Sequence, residues 1–247
     1  EVYNGNNKIT SYIPKQVPYY AALQNGSFES PDTDKVNKDG NFTFPNGTTG
    51  LVWKTTGSDK QIEIVKAEHG KAYNCFSAKH GTQYAELNAD EAGALYQEVL
   101  TAPGSTLYWE LFHQGRYSEG KDEMFLVIAP TSLVKNITSQ DALTDLINEI
   151  KSNPTTYGNQ GYFLSSMKDS SGQWKRYAGE YTVPEGQYLT SFFFVAGTTY
   201  QSTINTERGD TLGNLLDKVS FSTNLPDPIY GGNVLVTKKW KVFFRKI

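Results

Sequence analysis

Gly81-Thr-Gln-Tyr-Ala-Glu-Leu-Asn-Ala89, Leu95-Tyr-Gln-Glu-Val99 and Leu107-Tyr-Trp-Glu-Leu-Phe-His-Gln-Gly-Arg116 carry the clearest structural signal in this chain. In each stretch apolar and polar positions alternate. Ala85 and Leu87 point one way while Tyr84, Glu86 and Asn88 point the other, and Leu107, Trp109, Leu111 and His113 oppose Tyr108, Glu110, Phe112 and Gln114. A period of two is the repeat of a β-strand with one packed face and one wetter face. The wetter face holds aromatics, carboxylates and amides, residue types suited to a polar ligand.

Strand-like runs extend on both sides of this centre, around Val52 and at 61–66, 94–100, 106–113, 123–128, 174–183 and 187–196, ending with Leu215 to Ser222. Phe28 is expected on a first strand. Residues 30–50, with Pro31, Asp39-Gly40 and Asn46-Gly47, read as a long turn-rich connection. One segment breaks the pattern. Ser139 suits an N-cap, and Ala142, Leu143, Leu146, Ile147 and Ile150 form one stripe, so a helix is expected over 139–153. Asn153-Pro154 should stop it. The helix is expected to be a lid or side element, or to cover an open sheet edge. The fold class is therefore all-β, an antiparallel sandwich with one inserted α-helix. It occupies 23–224, after an extended lead-in at 1–22 and before a linker at 225–232 containing Pro226-Asp-Pro228 and Gly231-Gly232.

With 247 residues the chain suits one large domain, able to bury roughly three quarters of its unfolded surface without a disulfide or metal staple. Aromatics make up 13% and charged residues 20%, a balance that favours recognition, since Tyr gives broad contact at low entropic cost. A net charge of −3 without a basic run argues against nucleic acid or an anionic membrane as partner. The lone Cys75 makes no internal disulfide, which is compatible with secretion. No signal peptide is visible, and no apolar stretch approaches the ~20 residues of a membrane span. An extracellular fragment without direct membrane insertion is expected. Four N-x-S/T sequons, at Asn25, Asn41, Asn46 and Asn136, read as coincidences of a Ser/Thr/Asn-rich chain.

A resemblance rests on motifs in fixed order: Asn25-Gly-Ser-Phe-Glu29, Trp53-Lys-Thr-Thr56 with Asp59 and Ile62-Glu-Ile64, Ala85-Glu-Leu-Asn-Ala89, Leu95-Tyr-Gln97, His113-Gln-Gly-Arg116, Asp122-Glu-Met124, Tyr181-Thr-Val-Pro184 and Leu215-Leu-Asp-Lys-Val-Ser-Phe221. Over roughly residues 23–223 the chain resembles the jelly-roll, galactose-binding-like domain of Gram-positive surface proteins, similar in fold to carbohydrate-binding modules. Residues 233–247 begin with Asn233-Val-Leu-Val-Thr-Lys-Lys-Trp240, which resembles the first strand of a Cna-B stalk repeat, with Lys238 at the isopeptide lysine position. The resemblance implies a non-catalytic adhesin head, extracellular and anchored to the cell wall through a C-terminal region. Its partner would be a host glycan or glycoprotein; an immunoglobulin or matrix protein bound through a flat Tyr-rich surface is the alternative. Sugar sites on such folds pair aromatic platforms with amides and carboxylates, which Trp53, Tyr84, Tyr96, Tyr108, Gln114 and Glu86 would supply. It also implies a structural Ca²⁺ held by Glu29 and Asp217; a plain hydrogen-bonded or solvated pair is the alternative.

The residues themselves suggest three further arrangements. A hairpin can bring Arg116 and Asp122 together as a bidentate pair beside His113, either as a polar ligand site or as a latch. Glu63, Glu86 and Glu110 supply the carboxylates that a glycosidase pairs across a cleft, though nothing in their spacing brings two together. Cys75 and Gln97 are the residue types of a thioester, against the simpler reading of Cys75 as a small buried hydrophobe. GxSxG, HExxH, CxxC and Gly-rich phosphate loops are all missing, and no enzyme is expected.

Overall fold

A computed structural model describes residues 3–4, 7–8, 22–35, 41–204 and 211–223. Its strands are β1 (Asn41–Pro45), β2 (Lys54–Thr55), β3 (Gln61–Lys66), β4 (Gln83–Glu86), β5 (Ala94–Leu100), β6 (Thr106–Gln114), β7 (Asp122–Pro130), β8 (Phe163–Asp169), β9 (Lys175–Thr182), β10 (Leu189–Ala196) and β11 (Leu215–Ser222). Four helices join them: α1 (Thr131–Val134), α2 (Gln140–Ser152), α3 (Pro154–Asn159) and α4 (Tyr200–Ile204). A separate two-residue ladder pairs Tyr3–Asn4 with Asn7–Lys8.

Two antiparallel sheets form a jelly-roll sandwich. One has five strands in the order β8-β7-β10-β5-β2 and the other six in the order β9-β6-β11-β4-β3-β1. Between them the inward residues of both sheets interdigitate: Trp53, Leu107, Trp109, Leu111, Phe192, Phe194, Leu216 and Phe221, with Phe28 at one end. The alternation at 84–88 and 107–113 therefore has the expected phase, with Ala85, Leu87, Leu107 and Leu111 in this core.

The outer faces differ. On the five-stranded sheet, Ala94, Phe125, Val127, Ala129, Phe193 and Val195 are covered by Leu143, Leu146, Ile147 and Ile150 of α2. That explains why β10 is apolar on both sides. On the six-stranded sheet, Val65, Tyr84 and Leu215 lie under a 3-10 turn at Ala67–Tyr73 and the following Cys75, while the β6–β9–β11 end is open.

Several expectations are corrected. Phe28 is not on a strand but in a turn at φ 58°, fully buried against Trp53. The 30–50 connection contains β1, and β8 is an additional edge strand. Helix α2 is capped by the Ser139 hydroxyl, which accepts from the Ala142 amide, but it covers a sheet face and not an edge. Asn153-Pro154 ends α2 and starts α3, with Pro154 in its first turn, where its missing N–H is no loss. The 225–232 linker and the 233–247 segment lie outside the described residues, as does most of the lead-in. No helix among the described residues is long and apolar enough to cross a membrane.

Candidate functional site

The wetter face of the 84–116 strands divides into a roofed half and an open half. Under the roof, Glu63 and Glu86 stand directly across the β3–β4 ladder. Arg116 Nη1 donates to both Glu86 oxygens, at 2.9 and 3.1 Å, its Nε donates to Ala72 O at 3.1 Å, and its guanidinium lies 4.4 Å from the Tyr73 ring centre. The Gly213 amide adds a third bond to Glu86, and the Tyr73 hydroxyl donates to Glu63. Burial, then the charge of Glu63, pushes the Glu86 carboxyl up to about 8, against the pull of Arg116. Burial likewise raises Glu63. Burial disfavours the ionised form of each, and the charge of Glu63 adds to that effect at Glu86.

This geometry corrects the hairpin expected at 113–122. Arg116 pairs with Glu86, and Asp122 instead accepts the backbone amides of Arg116 at 2.6 Å and Tyr200 at 2.7 Å. His113 is fully buried, with Asp169 Oδ2 2.8 Å from Nδ1 and Asn214 Oδ1 2.9 Å from Nε2. His113, Asp122, Asp169 and Asn214 thereby connect β6, β7, β8 and the segment before β11, without the Arg116–Asp122 pair on which both readings of the hairpin rested. Tyr84 is also buried, its hydroxyl donating to Cys75 O at 3.1 Å. Trp53, at 1% exposure, is core: it stacks on Phe28, and its indole N–H donates to Asn25 O at 2.9 Å. Tyr96 belongs to the other sheet, stacked 5.1 Å from Phe193 beneath α2. None of the five side chains Trp53, Tyr84, Glu86, His113 and Asp122 is placed to meet a ligand from solvent.

The open half begins at Trp174, just before β9. Its indole N–H donates to Ser77 O at 2.7 Å and its ring meets Tyr84 edge-on at 5.7 Å, so two contacts fix its orientation. Across from it stands Phe76, 70% exposed. The two rings bound a cleft of about 520 Å³ whose walls include Asn74, Lys79, Gln114 and Gln173. The Asn74 side chain is anchored to Arg116 O at 2.9 Å, so the buried Glu86–Arg116 pair supports the cleft wall from beneath. From the cleft wall Lys79 reaches Phe112, and the Lys79 and Lys218 ammoniums lie 4.6 and 5.4 Å from the centre of that ring. Glu110 binds Arg176 at 2.6 Å and Lys218 at 3.3 Å. Tyr108, half-buried, ends the strip opposite Glu180 and Ser222. Of the candidate ligand residues, Tyr108, Gln114 and the backbone around Arg116 are thus brought to one face. Phe76 and Trp174 were not among the candidate ligand residues: Phe76 lies in irregular chain, where alternation gives no signal, and Trp174 stood at the start of the strand expected over 174–183 with nothing to mark what it would face.

Glu29 and Asp217 come together around the 79–83 loop. Asp217 Oδ2 accepts the amides of Lys79 and His80, at 2.6 and 2.9 Å. Glu29 Oε1 accepts those of Thr82 and Gln83, both at 2.9 Å, and Oε2 the Thr82 hydroxyl. Burial raises Asp217 to about 7, with the charge of Glu29 adding to it. Repulsion of this kind is what a cation relieves, but among the described residues no three His, Cys, Asp or Glu side chains gather into a metal site. Any cation here would draw the rest of its shell from carbonyls and water.

Cys75 sits outside the six-stranded sheet, where burial pushes its thiol up. Gln97 is on the other sheet, bonded through its amide to the backbone of Gln24. Gln97 shares the inward face of its strand with Leu95 and Val99, so the six-stranded sheet lies between the thioester pair. A second cavity, of about 710 Å³, lies elsewhere, between α1 and the 184–189 segment. Its rim carries Tyr188 at 61%, Leu133 at 49% and Leu189 at 38% exposure, while Gln187 is occupied with Tyr181 and Thr190.

No family model and no curated protein matches this chain. Among solved structures it is similar to a family 61 carbohydrate-binding module in complex with β-1,4-galactotriose, with 15% identity and a TM-score of 0.45, covering 81% of this chain and 95% of that one. A family 4 carbohydrate-binding module aligns at 12% identity and TM-score 0.38, over 81% and 98%. The second family 22 xylan-binding domain of Paenibacillus barcinonensis Xyn10C aligns at 18% and 0.38, over 74% and 97%.

Proposed function

We propose that this domain binds a saccharide without catalysis, in the cleft between Phe76 and Trp174. The observation that carries this reading is one concavity lined by the accessible rings of Phe76 and Trp174 and by the Gln173 amide, with Asn74 and Gln114, whose amide groups donate within the protein, completing its walls. Ring C–H faces pack on aromatics while hydroxyls take amide hydrogen bonds, and a few fixed polar groups in an otherwise apolar cleft give orientation. A glycan panel against the purified domain tests it. Trp174→Ala should weaken any hit by about 30-fold or more, the scale of a lost aromatic anchor of ~2 kcal/mol; unchanged affinity would overturn the assignment.

We place this activity in the head of a bacterial cell-wall adhesin that recognises host glycans or glycoproteins. Support comes from the motif order over 23–223 and from the Cna-B-like start at 233–240. A second reading, a host protein such as an immunoglobulin or matrix protein, is favoured by the exposed Leu133, Tyr188 and Leu189, with Leu100 directly across from Leu189. Leu133→Asp distinguishes the two, because it should abolish binding of such a protein while leaving saccharide binding intact.

A structural Ca²⁺ between Glu29 and Asp217 is proposed for the same fold, supported by the burial that raises Asp217, with the charge of Glu29 adding to it. Adding Ca²⁺ should raise the melting temperature relative to chelator. The rise should be larger at pH 8, where Asp217 is ionised, than at pH 5. Asp217→Asn should remove it.

A further inference from the structure

We infer that the saccharide bound in the Phe76–Trp174 cleft is acidic, carrying a carboxylate or sulfate that Lys79 receives. This rests on the saccharide reading above and specifies its ligand.

Lys79 is the cation lining the cleft. Its backbone amide donates to Asp217 at 2.6 Å, and that bond fixes where the side chain starts. Its ammonium then lies over the Phe112 ring, 4.6 Å from the centroid. Among the described residues no carboxylate lies within ion-pair distance of it. The neighbouring cations are all committed: Lys175 to Asp169 at 2.7 Å, Arg176 to Glu110 at 2.6 Å and Lys218 to the same Glu110 at 3.3 Å. Asp217 faces backbone amides, including those of Lys79, His80 and Lys218.

Lys79 and Lys218 also share the Phe112 ring, and Glu110 already serves two cations. Phe112 is buried, covered in part by these lysine stems. A second ammonium without a carboxylate, held beside a first, raises the local positive potential at the mouth of the cleft, although the chain carries a net charge of −3. An anionic group on a sugar ring seated against Trp174 neutralises that excess; a neutral sugar leaves it. The predicted consequences are a preference for charged over neutral oligosaccharides and a dependence on ionic strength, because exposed charges are screened within about 10 Å at 0.1 M salt.

The test is calorimetric titration of the whole chain with four probes: a sialylated trisaccharide and tri-galacturonate as carboxylate ligands, a sulfated galactose oligosaccharide, and xylohexaose as neutral control. Each is run at 20 and 300 mM NaCl, with wild type, Lys79→Gln and Trp174→Ala. The expected result is at least tenfold tighter binding of one acidic class than of xylohexaose at low salt, shrinking at high salt. Lys79→Gln should bring that ratio to about one, with unchanged thermal unfolding showing that the variant is folded. The carboxylate and sulfate arms identify which anion is read. Equal binding of acidic and neutral probes, sensitive to Trp174→Ala but not to salt, overturns the acidic assignment and leaves the saccharide site standing. An acidic preference that survives Lys79→Gln also overturns it. Binding of no probe, or binding indifferent to Trp174→Ala, brings down both.

Discussion

Glu86 shows how far a single position can be read from sequence. Alternation places it on the outer face of the six-stranded sheet, opposite Ala85 and Leu87, and that is where it lies. Period two says which way a side chain points but not what covers it, and the roof over Glu86 comes from Tyr73 and Ala72, which show no period. The same limit explains Tyr84 and Trp53: an aromatic in a strand looks alike whether it meets solvent, a turn or the opposite sheet. Two predictions belong here. Arg116→Met strands Glu86 without its cation and should cost about 3–5 kcal/mol in denaturant unfolding above pH 8, where Glu86 is ionised, and less at lower pH, whereas Arg116→Met with Glu86→Leu should recover most of it. A double variant no more stable than the single one would show that the pair is not the contact that matters. The second concerns pH. Glu86 and Asp217 titrate near 8 and 7 in the folded state, above the ordinary carboxylate range, so the folded protein binds protons that the unfolded chain releases. This stability is fully present below the ordinary carboxylate pKa of about 4 and is lost as pH rises from there through 7 and 8. Asp217 alone corresponds to about 3 kcal/mol between pH 5 and 8, at ~1.4 kcal/mol per pH unit. Unfolding midpoints that stay level or rise from pH 5 to 8 would contradict this, and Asp217→Asn should flatten the curve.

Among elements, α2 was legible and β8 was not. The α2 stripe and its Ser139 cap are local signals, complete within fifteen residues. Its placement over a sheet face depended on the outward Phe125, Val127, Phe193 and Val195, whose apolar character on a second face announced a cover without naming it. In β8, only Met167 and Asp169 are buried, so Phe163-Leu-Ser-Ser-Met-Lys-Asp169 shows little alternation. Its place is set by pairing with β7, from Phe163 opposite Ile128 to Asp169 opposite Asp122. Leu143→Ala, at the fully buried centre of the α2 contact, should destabilise by about 2–5 kcal/mol in denaturant melts; a loss under 1 kcal/mol would mean that α2 is peripheral. Gly179 is required for a different reason. It stands opposite Trp109 across the β6–β9 ladder, and a Cβ there would lie 2.6 Å from the indole ring. Gly179→Ala should therefore cost about 1–3 kcal/mol through overpacking, and a neutral melting temperature would show that the ring can shift.

For the whole molecule, the decisive fact is which sheet surface is left uncovered. Helix α2 closes the outside of the five-stranded sheet, and the Ala67–Cys75 segment closes part of the six-stranded one. The β6–β9–β11 end remains open, bordered by Phe76, Trp174, Phe112 and Tyr108 and carrying the cations. The sequence reading named Tyr108 and Gln114 on the sheet that borders this cleft but neither Phe76 nor Trp174, which lie almost a hundred residues apart and reach one cleft only through the fold. The most direct test of the central claim is an amide and indole chemical-shift titration with the best-binding saccharide. The Trp174 indole N–H and the amides of 74–79, 114 and 173 should move together and saturate at one affinity. Shifts confined instead to 130–135 and 184–189 would place the ligand in the other cavity and contradict the account.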